Sequence, residues 1–304
     1  MFVTDTPAWQ DLGTALVAEV QAAVPGAAAD DLALVLVQRG ADGRPEGFVH
    51  RGAEPIYPCS LVKAFHLVHA LAALEEGRAE SHGELDRAMR DMILWSSNTA
   101  TNYVIDILTG TTGDTLLDGA EYLDWMSKRE RLNRFFWRMG WPDWEGCRIA
   151  QKLMDDTRYG REARFAAEGG DNLNRLTALA AARLMWELFE GDLPLSPPAR
   201  GRAQAILSRD PAGPDAARPE YQLSEYLGGA LPDGVQVWSK AGHNLWTGDA
   251  ATSWFKHDMI RITAPDRAPL IAVLMTTGER FAAGPPSVFP DLGRMIWERA
   301  ASMA

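Results

Sequence analysis

The chain has 304 residues, 46% hydrophobic and 23% charged, the balance of a globular protein with one large or two modest domains. A net charge of −11 and the lack of any Lys/Arg-rich run argue against a nucleic-acid surface. Two cysteines, Cys59 and Cys147, exclude a disulfide framework and a multi-cysteine zinc site, and no apolar run approaches the roughly 18 residues of a membrane span.

In chain order, residues 8–24 read as an amphipathic helix. No Lys or Arg precedes Arg39, so the positive start of a secretory signal is missing and a cytoplasmic protein is expected. Residues 31–38 read as a buried strand, 39–45 as a turn and 47–50 as the start of a partner strand. A helix runs over 60–76 and stops at Gly77, with apolar residues around its whole circumference, which predicts a central, buried element. Helical periodicity continues through 85–95, 100–108 and 175–190, and Pro and Gly cluster over 194–219. Strands follow at 235–240, 258–263 and 270–276, with a last helix over 291–302. His66 and His69 lack a carboxylate at ligand spacing and are expected to pack or hydrogen-bond, not to bind metal. His257 is expected at the surface start of a strand. Trp125, Trp137, Trp141 and Trp144 fall in a segment, 117–147, that would form a lid over a site or a local helical core.

Ser60 and Lys63 stand three residues apart at the start of the 60–76 helix, and positions i and i+3 share a helix face. A serine hydroxyl is a weak nucleophile until a base takes its proton, and burial lowers a lysine's pKa enough for it to be that base. The pair is expected within hydrogen-bond reach, about 2.6–3.2 Å. Two further motifs follow: Ser96-Ser97-Asn98, continued by Thr99-Ala100-Thr101-Asn102, and Lys240-Ala241-Gly242 at the end of a strand-like run.

This order of Ser-x-x-Lys, Ser-x-Asn and Lys-x-Gly resembles the penicillin-recognising serine hydrolases, the class A β-lactamases and penicillin-binding proteins. The stretch from Ser96 to Asn102 is similar to the class A sequence Ser-Asp-Asn-Thr-Ala-Ala-Asn, and residues 258–274 look like the closing hairpin of that fold. The resemblance runs from about residue 31 to the C-terminus. It implies an α/β (α+β) fold in which residues 1–59 and 210–304 build an antiparallel sheet flanked by helices and residues 60–209 an all-α lobe. The two form one continuous unit with the site in the cleft between them. By the same resemblance Ser60 is the nucleophile, Lys63 its base, and Ser96 the relay of a proton to the leaving group. Asn98 orients the substrate or Lys63, and Lys240 supplies positive charge for a substrate carboxylate. The N–H groups of Ser60 and of a residue on the strand after Lys240 form the oxyanion hole. Ala241, Gly242 and His243 would line the substrate site.

Three departures from the pattern stand out. Ser97 replaces an Asp that is largely structural. Ala241 replaces the Thr of Lys-Thr-Gly and removes a hydroxyl that would help hold a carboxylate. No Glu-x-x-Leu-Asn segment, whose glutamate positions the deacylating water in class A enzymes, lies between Asn102 and Thr177. Glu162, in a Met-Asp and then Gly-Arg-Glu context similar to a less-studied branch of the fold, is the nearest substitute; it reads there more readily as structural. Asp155 is the other. The expected protein is a cytoplasmic serine hydrolase acting through a Ser60 acyl-enzyme on a small amide, lactam or ester bearing a carboxylate. It would need no cofactor or metal, and its partner would be a small molecule, not a membrane or nucleic acid. The alternatives are a weak class A-like β-lactamase, and a catalytically retired binding protein of the same fold.

Overall fold

The computed structural model describes residues 2–155, 157–167, 171–265, 267–300 and 303. Its strands are β1 (Thr4–Asp5), β2 (Leu32–Arg39), β3 (Pro45–His50), β4 (Ser208–Arg209), β5 (Gln236–Asn244), β6 (Phe255–Ala264) and β7 (Arg267–Thr277). They form one sheet in the order β1-β3-β2-β7-β6-β5-β4, antiparallel throughout except for the β1–β3 pair. The helices are α1 (Pro7–Ala23), α2 (Val62–Glu75), α3 (Gly83–Leu94), α4 (Asn98–Thr109), α5 (Gly119–Arg129) and α6 (Arg131–Trp137), then α7 (Gly160–Ala167), α8 (Ala178–Phe189), α9 (Pro197–Leu207), α10 (Glu279–Ala282) and α11 (Val288–Ala300).

The apolar run of β2 explains its central place. Side chains of a strand alternate between the two sheet faces, and a strand covered on both faces has no need of polar residues. Ala33, Val35 and Val37 enter one core with Val273 and Met275 of β7, while Leu32, Leu34 and Leu36 enter the other with Ala272 and Leu274. The second core is closed by α1 and α11 through Trp9, Leu16, Leu292 and Trp297. Here Gly13 lets α1 lie flat on β3, since a Cβ at that position would sit 2.0 Å from the Phe48 ring. On the opposite face α8 covers β2 and β7. Behind it lies α2, buried from Val62 to Ala73, among α3, α4, α6 and α9. No helix among the described residues is long and apolar enough to cross a membrane.

The Trp-rich segment forms α5 and α6 and packs as a core. Trp144 stacks on Phe136 with ring centroids 4.8 Å apart, and both rings meet Phe65 of α2. Trp125 packs edge-on against Phe165 of α7. Trp137 is exposed.

Candidate active site

Ser60 lies in a short 3-10 turn, Cys59–Leu61, that leads into α2. Cys59 before it holds φ 48°, the left-handed region that a residue with a Cβ occupies only where its surroundings impose it. The sheet imposes it. His257, expected at the surface, is fully buried in β6, because that strand starts at Phe255 and continues past it in both directions. Its Nδ1 accepts the Thr276 N–H at 3.1 Å, so the proton sits on Nε2, which donates to the Tyr57 carbonyl at 2.8 Å. Burial pulls its pKa down to about 4, so the ring is a neutral strut at physiological pH.

The outer edge of β5 runs beside this turn. β4 pairs only with Val237 and Trp238, leaving Ser239 to Asn244 without a strand partner on that side among the described residues. A Cβ on Gly242 would stand 2.8 Å from both the Ser60 nitrogen and the Pro58 carbonyl. Backbone therefore meets backbone there, and only glycine fits. Gly242→Ala is expected to push the Ser60 amide out of line and slow acylation by about 10²-fold or more, the scale of losing one oxyanion donor. Mass-spectrometric acylation rates alongside circular dichroism would check this; unchanged rates would count against it.

Ser96 sits in the turn between α3 and α4 with φ 52°, and Ser97 caps α4 by accepting the Ala100 N–H at 3.1 Å. The Ser96 hydroxyl receives two lysine amines, Lys63 Nζ at 3.2 Å and Lys240 Nζ at 3.0 Å. Lys63 also donates to the Ser96 carbonyl and, at 2.8 Å, to Asn98 Oδ1. These three acceptors are a full set for an ammonium, so the amine turns toward Ser96 and Asn98. The expected Ser60–Lys63 hydrogen bond is not formed, and the Ser60 hydroxyl has no partner among the described residues. Burial lowers the Lys63 pKa to about 7, partly opposed by Asp155 and Cys59. Lys240 is pushed well below its usual value by burial and then by the cations of Lys63 and Arg209.

The far side of Asn98 is held as well, since its Nδ2 donates to Asp155 Oδ1 at 2.5 Å. The loop that carries Asp155 is clamped to α4. Asn102 bonds both the Leu153 carbonyl at 2.6 Å and the Leu153 N–H at 3.2 Å, and Lys152 pairs with Asp106 at 2.7 Å.

Ser60, Ser96, Asn98, Gln222 and His243 line a common cavity of about 640 Å³. His243 is fixed by a 2.8 Å hydrogen bond to the Ala282 carbonyl. Ala241 is not brought to the cleft. Strand alternation turns its side chain into the core on the α1 side, so a hydroxyl there would not face a substrate. Glu162 is not brought there either. Both its oxygens bond the Arg129 guanidinium, at 2.6 and 3.0 Å, in a fully buried pair. That carboxylate is committed to the guanidinium and does not line the cavity. His66 and His69 are buried in α2, with pKa values pulled down to about 3 by burial. His69 stacks on Phe135, as a packing role requires, whereas the His66 ring nitrogens have no hydrogen-bond partner among the described residues. The residue missed in the sequence is Gln222, whose Oε1 accepts from Lys240.

Residues 78–300 match the family model described as the β-lactamase enzyme family. The chain belongs to this β-lactamase family. The match includes the second and third motifs; Ser60 and Lys63 precede it and join the site through the geometry above. Solved structures share the fold over nearly the full length. A β-lactamase from Chitinophaga pinensis aligns with a TM-score of 0.64 at 15% identity, covering 95% of this chain and 99% of that one. One from Burkholderia vietnamiensis gives 0.62 at 17%, covering 95% and 97%. The class A enzyme of the last common ancestor of Gram-negative bacteria gives 0.59 at 21%, covering 94% and 98%. No curated protein matches the sequence. This β-lactamase-family chain is thus a serine hydrolase by family, built on a mixed sheet-and-helix fold.

Proposed function

We propose that the protein hydrolyses a small amide, lactam or ester bearing a carboxylate, through an acyl-enzyme on Ser60. The observation that supports this most is the Ser96 hydroxyl held between the Lys63 and Lys240 amines, on the wall of a cavity that Ser60 also lines. In this reading Lys63, once neutral, takes the Ser60 proton as the oxygen attacks the carbonyl carbon. The proton passes through Ser96 to the leaving nitrogen or oxygen, and the carbonyl oxygen gathers charge against the Ser60 N–H and the β5 edge at Gly242 and His243. Lys240, whose amine donates to Ser96, draws the substrate carboxylate, and Asn98 holds Lys63 in line.

Water must then cleave the acyl group. Glu162 is committed to Arg129, and among the described residues Asp155 is the carboxylate linked to Lys63 through Asn98. Penicillins are therefore proposed to acylate Ser60 and leave slowly, while small esters turn over faster. Cytoplasmic location belongs to the same proposal and is supported by two unpaired, buried thiols, Cys59 and Cys147. Intact mass spectrometry with benzylpenicillin and a panel of esters is expected to show a single adduct on Ser60, absent in Ser60→Ala, with the Tm little changed. An adduct that persists in Ser60→Ala would overturn the assignment. Absence of any adduct in the wild type would favour the retired, ligand-binding alternative.

A further inference from the structure

Gln222 closes the 3-10 turn Pro219–Tyr221 with φ 54° and ψ 50°. A residue with a side chain keeps this left-handed conformation only where the surroundings over-determine it. They do so through Tyr221, which is buried, accepts the Asp210 N–H on its hydroxyl at 2.9 Å, and lies under the Arg209 guanidinium at 4.9 Å. Held this way, the Gln222 side chain reaches the cleft wall. Its carbonyl accepts from Lys240. A lysine ammonium only donates, so the amide must turn its oxygen toward it, which fixes one orientation.

Lys240 needs such a partner. Its three N–H groups meet three oxygens: Ser96 Oγ at 3.0 Å, the Ala241 carbonyl at 2.6 Å and Gln222 Oε1. None is a carboxylate. The charged and titratable groups around it are the Lys63 and Arg209 cations, the Cys59 thiol, which burial keeps neutral, and Asp258. The Asp258 carboxyl accepts the Leu227 N–H at 2.9 Å, and burial raises its pKa to about 7. The surroundings thus disfavour the ammonium, and among the described residues Gln222 is the side-chain amide that accepts from it.

We propose that Gln222 is a positioning residue: its carbonyl, which can only accept, keeps Lys240 a donor aimed at Ser96, leaving the Ser96 O–H free to point into the cleft. The catalytic consequence rests on the hydrolase reading above; the hold on Lys240 does not.

The test uses the full chain labelled with ¹³C-lysine, the Lys240 signal being assigned by its loss in Lys240→Met. In Gln222→Leu, which removes the acceptor at similar volume, the Lys240 titration midpoint is expected to fall by about one pH unit or more. In Gln222→Glu, which adds an anion, it is expected to rise by a similar amount, the direction an adjacent opposite charge imposes on a lysine. The high-pH limb of Ser60 acylation by benzylpenicillin should move in the same two directions. A merely structural role would lower the rate in both variants without opposite shifts. Midpoints equal to wild type in both folded variants would overturn the inference, and either variant alone decides it if the other fails to fold. Moved midpoints with an unmoved acylation limb would sustain the hold on Lys240 and overturn its catalytic role.

Discussion

Acylation of Ser60 is expected to be slow at about pH 5, to rise close to tenfold per pH unit, and to level off near pH 7, where Lys63 becomes neutral. The ammonium form is saturated by Ser96 and Asn98. Loss of one proton gives the amine a lone pair and releases it to receive the Ser60 proton. Lys63→Met should remove both the rate and its pH dependence, by about 10³-fold on the usual scale for a general base. The same replacement should raise stability. Burial depresses the lysine pKa in the folded chain from 10.5 to about 7, so between these values the unfolded chain holds a proton that the native chain has released. Stability from this group therefore rises as pH rises through that window and is lost below it. Rate against pH by stopped-flow mass spectrometry, with urea melts at about pH 7 and pH 10, would check both halves. A flat profile, or Lys63→Met acylating like wild type, would refute the assignment.

Glu162→Gln is expected to destabilise the fold by about 3–5 kcal/mol, the range for leaving one charge of a buried pair uncompensated. The Arg129 guanidinium uses all five N–H groups: two on Glu162, two on Thr111 Oγ1 and one on the Ala150 carbonyl. It also lies 4.7 Å over the Trp125 ring. Removing the carboxylate's charge leaves that cation in a dry pocket. The acyl-enzyme lifetime with penicillin should change only a few-fold. A lifetime lengthened about 10²-fold with unchanged urea midpoint would make Glu162 the water base after all.

Most of the working residues were legible in the sequence because they sit where a helix begins, and Lys240 because it lies within a strand-like run; both have local signatures. Ser60 and Lys63 begin an apolar helix, Ser97 caps α4, and Lys240 sits on a strand. What was not legible depends on partners far away in the chain. Glu162 reads as a free carboxylate until α5 brings Arg129 to it. His257 reads as a surface residue until its strand is found to start two positions earlier and to lie between β5 and β7. Ala241 reads as a cleft residue until the register shows which face it takes. Gln222 lies just after the Pro- and Gly-rich stretch 194–219, outside any predicted element, and its role follows from a backbone angle that no composition reveals. Among the helices not predicted, α9 had a local signal: Ser196 followed by Pro197 is a cap and first-turn pair that opens it.

The order of the sheet also bears on how the chain is made. β2 has β3 on one side and β7 on the other, and β7 emerges from the ribosome more than two hundred residues later. During synthesis the run Leu32-Ala-Leu-Val-Leu-Val37 therefore keeps one bare edge until β7 is made, even after α1 and α8 are available to cover its faces. Such an edge is a template for pairing with another chain. The nascent protein is thus most vulnerable to aggregation before β7 appears, and a truncation ahead of Arg267 would make that exposure permanent.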